Sequence, residues 1–423
     1  MTRINPWIVI LVMSFAFSSW IDLMGVWVEF PILVHLLPEG WNLPSYVVVL
    51  VQCAMITPIA YSVVNKICPG NTQRREVFMA YFIMAIGFLA LLMLSIFWQE
   101  TVHIAGADRS LAALTLIFLL SMVDTTSCIV YLPYMSRFKE HYIPAYIAGE
   151  ESGGLITGVV GLIQGAGGEA VCNNVTVHHY NETLRMNYTE HMIDITHREP
   201  RFSVTVFFVF LMFMMALSAL SFSILNFSTF AKREKVGKFG LQPESKELEA
   251  TIHGVLILLC ATLMWCSFFI FGLFPTLQSY STLPYGSMTY TLGVRLICVF
   301  NPLAALLALF VRMRSVAKLL GLVVLSSVLV VYHIVLATMS PHPPLKHTAL
   351  GSFIVVFTAI TLAACNAYAR ACITTLLRSE GGHRALLLGG GAIQAGAFFG
   401  GIMGFLLVNV FSLFEHEPPC GNL

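Results

Sequence analysis

Charge is what this chain has least of. Only 11% of its 423 residues are Asp, Glu, Lys or Arg, and 57% are hydrophobic, whereas a soluble globular domain carries about 25% charged residues. Mean hydropathy is +0.80. The net charge of +1 includes no basic domain, which argues against a nucleic-acid partner. No Gly-rich loop opens a helix for phosphate, so an ATP-driven pump is disfavoured. The absence of CxxC and of His/Cys clusters gives no reason to expect a metal or cofactor. No nucleophile–base constellation stands out, so an enzyme is not expected. The first apolar run lacks a small-residue cleavage site and is read as a membrane span, not as a removed signal.

Apolar runs of about 20 residues, long enough to cross a bilayer, occur eleven times: 7–29, 43–64, 77–98, 111–133, 143–166, 202–226, 251–275, 288–310, 316–338, 349–372 and 385–411. With the N-terminus inside, sixteen Lys and Arg fall in inner segments and five in outer ones, the bias expected of cytoplasmic loops. Three sequons, at Asn174, Asn181 and Asn187, lie in the 167–200 segment that this topology places outside, so these asparagines are predicted to be glycosylated. An odd number of spans leaves the C-terminus extracellular. Cys172 and Cys420 then both face an oxidising exterior, where a disulfide between them is an open alternative to free thiols.

The halves echo one another without inversion. Pro31 is followed 27 residues later by Pro58, and Pro275 is followed 27 residues later by Pro302. Gly-Leu-Ile-Gln at 161–164 matches Gly-Ala-Ile-Gln at 391–394 six spans on. The expected architecture is therefore an all-α polytopic membrane protein of about eleven helices in two parallel pseudo-repeat halves. Residues 1–226 form a six-helix half, 227–250 a cytoplasmic linker and 251–423 a five-helix half. That is the plan of major-facilitator and equilibrative-nucleoside transporters, which hold solute between the halves near the midplane.

The stretch from Trp20 to Pro44 combines apolar helix with Asp22, Glu29, Trp20 and Trp27. Residues seven apart return to nearly the same helix face, which gives one aromatic and one acidic stripe. Pro31 is expected to end this helix and hold Phe30 extended. Intramembrane acids normally face a protein interior or a watery cavity, so Asp22, Glu29, Asp124, Glu150 and Arg295 are candidates for a proton or charge network. Arg370 stands close enough to the inner surface to snorkel and is read as structural; for Glu151, about two turns from the inner end, a structural role is an equal alternative. Trp20, Trp27, Tyr280, Tyr285 and Tyr290 offer flat apolar faces. Gln52, Asp124, Thr125, Gln164, Gln278, Asn301 and Gln394 offer hydrogen-bonding edges. Together they would suit a neutral, planar solute. Trp41 is assigned instead to the interfacial belt.

The segment WVEFPILVHLLPEGWNLPSY resembles the opening motif of the eukaryotic riboflavin (vitamin B2) transporters, a family of solute carriers. The same resemblance runs through Val123-Asp124-Thr125-Thr126-Ser127, Leu132-Pro133-Tyr134-Met135-Ser136-Arg137, Leu273-Phe274-Pro275-Thr276-Leu277-Gln278-Ser279-Tyr280 and Asn301-Pro302-Leu303-Ala304. It implies riboflavin uptake across the plasma membrane by alternating access, with the flavin ring among aromatics and amides and the ribityl chain near polar groups. The expected partners are riboflavin and the bilayer, and a monomer is expected to suffice. Asp22 and Met24 stand where the family pattern Trp-Val-Thr-Ile-Asn-Gly has Thr and Asn. The residues alone leave a carrier of another planar solute, such as a nucleoside, and a glycosylated surface receptor as alternatives.

Overall fold

The computed structural model describes residues 5–67, 72–104, 106–135, 137–139, 142–165, 171–181, 186–196, 199–235, 250–346 and 348–415. Fourteen α-helical segments make up most of these residues. In the first part of the chain they are α1 (Pro6–Ala16), α2 (Ile21–Leu36), α3 (Leu43–Ala54), α4 (Ile56–Ile67), α5 (Thr72–Phe97), α6 (Leu111–Met135), α7 (Ile143–Gln164), α8 (Val204–Phe227) and α9 (Thr229–Arg233). The second part holds α10 (Ala250–Ser267), α11 (Phe274–Thr282), α12 (Ser287–Phe310), α13 (Val316–Thr338) and α14 (Ala349–Phe405). Local chemistry sets many of the ends. Asn5 caps α1 by accepting from Trp7 N at 3.1 Å, with Pro6 at the first helical position, where its missing N–H costs nothing. Ser203 and Thr348 cap α8 and α14 in the same way. Gly165, at φ 68°, closes α7 in the left-handed region that glycine adopts freely.

Among the described residues nine helices are long and apolar enough to cross a membrane, or ten if the bent pair Pro6–Ser19 and Ile21–Leu36 is one span. The Gly-rich α7, with Glu150 and Glu151, is outside that set. Their outer faces are apolar: on α5, Phe78, Phe82, Leu89 and Ile96 are each about half exposed or more, the inverse of a soluble helix surface. Two of the spans lie within α14. A Cβ on Gly389 would stand 2.7 Å from Leu377 Cδ1, yet twelve residues of straight helix would separate the two by about 18 Å. α14 therefore doubles back on itself, giving spans Ala349–Leu377 and Leu388–Val410.

Three details depart from the sequence expectation. Pro31 does not end a helix: it lies within α2, and Phe30 is helical. The break comes earlier, where α1 and α2 meet at 56° and Trp20 leaves helical geometry at φ −144°, ψ −4°. The carbonyl of Ser19, freed there, accepts from Ser127 Oγ of α6 at 3.4 Å, so a neighbouring helix satisfies it as a membrane interior requires. Second, the seventh span is built in pieces, with a π-helical stretch Phe268–Leu273 between α10 and α11. Third, the sequon segment is not plain loop. β1 (Val102–Ile104) and β2 (Ala107–Arg109) form one short hairpin. β3 (Val171–Asn181) and β4 (Met186–Thr196) form a longer one, with Asn174 and Asn181 on β3 and Asn187 on β4. Cys420 lies outside the described residues, and so does the alternative of a disulfide between it and Cys172.

Buried apolar residues fall into one large cluster drawn from residues 8–231, joined by Cys298, and smaller clusters drawn from 259–408. At the linker end the first part is tied together by charge. Arg137 pairs with Glu76, Lys139 pairs with Glu234 at 2.8 Å, and Tyr142 donates to Glu234 Oε2 at 3.2 Å. The Lys235 ammonium sits 5.1 Å and 5.3 Å from the rings of Tyr134 and Phe138. Burial, with Arg137 and Lys232 nearby, pushes Lys235 down to about 8, so near neutral pH it keeps the charge that this cation–π contact needs.

Candidate functional site

The two parts of the chain meet along α7 and α12, and the glycines of α7 make that approach close. A Cβ on Gly154 would lie 3.2 Å from Pro302 Cγ, and one on Gly158 would lie 2.9 Å from Val299 Cγ2 and 3.2 Å from the Arg295 carbonyl. Small residues at a membrane-helix crossing let backbones pack directly. Toward the hairpin end of this seam lies Arg295, only 1% exposed. Its Nη2 donates to Gln164 Oε1 at 3.0 Å, and its charge attracts the carboxylate of Glu29, which also faces the Gln164 amide. Gln164 is itself fixed, donating from Nε2 to Phe202 O at 3.3 Å. One arginine from the second part thus hydrogen-bonds an amide of α7 and stands near an acid of α2.

The other acids of the expected network go to separate places. Asp22, seven residues from Glu29, lies close to Asp124 of α6, and Asp22 Oδ2 and both Asp124 oxygens are buried without a hydrogen-bond partner. Both residues are fully buried, and Asp22 Oδ1 accepts from Leu23 N at 3.0 Å. Glu150 accepts from Trp20 Nε1 at 3.0 Å, across the α1–α2 bend. The sequence therefore named the buried polar groups but grouped them differently: Asp22 with Asp124, Glu150 with Trp20, and Glu29 with Gln164 and Arg295.

The hydrogen-bonding and aromatic candidates divide. Gln278 and Gln52 keep unpartnered buried atoms, Nε2 and Oε1 respectively, and Gln52 packs where Gly401 of α14 approaches α3. Thr125 donates to the Ala54 carbonyl at 3.3 Å, at the α3–α4 break. Trp27 meets Phe30 edge-on at 4.6 Å. Tyr290 meets Trp41 edge-on at 5.2 Å, which takes that tryptophan out of a purely interfacial role. Tyr280 packs on Phe414 at 5.3 Å, and Tyr285 donates to Pro344 O at 2.7 Å, both away from the α7–α12 seam. Asn301 is half-buried and Gln394 exposed.

Sequence reasoning missed one pair. Arg370 does not snorkel: its guanidinium stacks 4.3 Å over the Phe271 ring and is attracted to Glu151 of α7. The signal was available, because a lone acid and a lone base at matching depth from the linker side invite pairing. No group of three His, Cys, Asp or Glu that could hold a metal occurs among the described residues.

The family model for solute carrier family 52, riboflavin transporter, matches residues 5–251 and 241–416. Riboflavin transporter 2 of Salmo salar is 33% identical over 452 residues, covering 98% of each chain. Member 3-A of the riboflavin transporters of Danio rerio is 33% identical over 97% of this chain and 98% of its own. The human member 3 is 30% identical over 97% of both. Among solved structures, a bacterial homologue of the human lysosomal transporter Spinster, inward-facing and unoccupied, aligns with a TM-score of 0.51 at 12% identity, covering 97% of this chain and 83% of that one; at that identity the likeness concerns the fold alone.

Proposed function

Since the chain belongs to the riboflavin transporters of solute carrier family 52, we propose that it carries riboflavin across the plasma membrane by alternating access between its two helical halves. It is a multi-pass membrane carrier. The observation that supports this mechanism best is the Arg295 contact, because beside the close glycine packing of the seam it joins the halves through polar groups that can be exchanged for water or solute. Opening toward the hairpin end would require Arg295 to leave Gln164 and Glu29, and closing would remake the contact. The topology we propose puts the N-terminus and the 227–250 linker in the cytoplasm, and the sequon hairpin and C-terminus outside, with a single chain as the working unit and no cofactor. Cells expressing the chain should take up labelled riboflavin saturably, and excess unlabelled riboflavin, but not a nucleoside, should compete. Surface expression without such uptake would refute the reading.

The charge balance inside the membrane adds a proton to the proposal. Away from the span ends lie five carboxyls (Asp22, Glu29, Asp124, Glu150 and Glu151) but only two basic groups, Arg295 and Arg370. Asp22 and Asp124 lie close together in the interior, and two like charges buried near one another do not both ionise readily. Asp22 and Asp124 therefore form a proton-holding pair that this chain owes to Asp22. Replacing Asp22 by Asn keeps the shape and removes the shared proton, so the variant should take up riboflavin with a flatter dependence on external pH. An unchanged pH profile would remove the pair from any role in coupling.

A further inference from the structure

Of the 23 Lys and Arg in the chain, Arg295 and Arg370 are two that lie inside spans and away from their ends. Arg295 has its work at the seam. Arg370 has a ring beneath it and an acid across from it, but its Nε is buried without a hydrogen-bond partner. One turn earlier on α14, Asn366 is 2% exposed and its Oδ1 is likewise buried without a partner. Residues four apart share a helix face, so Asn366 lies on the face from which Arg370 reaches toward Glu151 of the other half. A buried donor and a buried acceptor left unsatisfied side by side are unusual in a folded protein and call for an absent partner. Glu151 and Gln164 are thirteen residues apart on α7, about 20 Å along the helix, so this pair lies well to the linker side of the Arg295 contact. Carriers of this plan hold their cargo between the halves near the midplane.

We propose that Asn366 and Arg370 form the subsite that reads the dioxopyrimidine edge of the flavin ring. That edge presents an imide N–H between two carbonyl oxygens. Asn366 Oδ1 accepts from the imide N–H, and Arg370 donates to the adjacent carbonyl. The Phe271 ring under the guanidinium provides an apolar face beside that edge. Glu151 balances the charge of Arg370, so the subsite presents an acceptor and a donor without a net charge, which matches a neutral cargo. The subsite rests on the riboflavin reading above.

The test is competition between riboflavin and N3-methylriboflavin, which lacks the imide proton. The native chain should prefer riboflavin by about tenfold, the worth of one hydrogen bond in a closed site. Asn366→Ala should raise the KM for riboflavin about tenfold, leave maximal uptake and surface abundance in place, and take up the two flavins alike. Asn366→Ser, read the same way, serves if the alanine variant does not reach the surface. Native uptake with an Asn366 variant whose KM and preference are both unchanged removes the subsite alone. No native uptake of riboflavin would remove the flavin reading and this subsite together.

Discussion

Arg295→Ala should reach the cell surface in reduced amount and carry riboflavin at less than a tenth of the native rate per molecule. The side chain is buried, it donates to the Gln164 oxygen, and its charge is felt by the nearby Glu29 carboxylate. Removing one partner of a buried pair costs about 3–5 kcal/mol, because the other charge stays behind without compensation. Much of that penalty is relieved if Glu29 is neutralised as well. Glu29→Gln combined with Arg295→Gln should therefore recover thermal stability relative to Arg295→Ala while uptake stays low, since the contact that opens and closes is still missing. The comparison separates folding from transport: a double variant that regains uptake would show that the pair stabilises the protein and does not gate it. Melting temperature in detergent and uptake normalised to surface abundance are the two readouts.

The second large effect concerns the crossing of α14 with the seventh span. A Cβ on Gly400 would collide with the Phe268 carbonyl, and one on Gly396 with the Met264 carbonyl. Both opposing atoms are backbone, so a rotamer change relieves neither. From the other side, a Cβ on Gly272 would come within 2.5 Å of Gly400 C and Gly401 N. Gly400→Leu should abolish folded carrier altogether, with protein retained inside the cell, because overpacking a tight crossing costs more than about 1–3 kcal/mol once backbone must move. Gly390, where a Cβ meets nothing within 4 Å, is the control: Gly390→Ala should be produced and transport normally. Equal surface expression of Gly400→Leu and the native chain would contradict this packing.

Where a span is one regular helix, its boundaries were legible in the sequence, because such helices announce themselves by length and hydropathy. The eighth and ninth expected spans, 288–310 and 316–338, coincide with Ser287–Phe310 and Val316–Thr338. The irregularities were not legible. Proline at 31 carries a strong local rule, but the chain bends at Trp20, where Ser127 supplies a hydrogen bond to the Ser19 carbonyl from 108 positions away. Tertiary satisfaction of the backbone overrides local propensity there, and no window of sequence contains both residues. The doubling back of α14 was legible in outline, because the two expected spans 349–372 and 385–411 require it.

The candidate site shows the same division. Periodicity identified Asp22 and Glu29 as residues on one face of a helix, and cost identified them as functional candidates. It could not say that the first would meet Asp124 and the second Gln164 and Arg295. Those partners come from α6, α7 and α12, and only packing brings them together. Arg370 was misjudged for a related reason. Distance from the inner surface permits snorkelling, but Phe271 and Glu151 give the guanidinium nearer company. Tyr280 and Tyr285 looked like members of an aromatic lining, and each is engaged elsewhere, with Phe414 and Pro344.

Solute counterflow tests the central claim most directly. The purified chain is reconstituted into liposomes loaded with unlabelled riboflavin, and labelled riboflavin is added outside at low concentration. A carrier that alternates between two faces will accumulate label transiently above equilibrium, and only in vesicles that contain both the protein and internal riboflavin. Label that never exceeds equilibrium, or that enters equally well without internal riboflavin, would contradict alternating access by this chain.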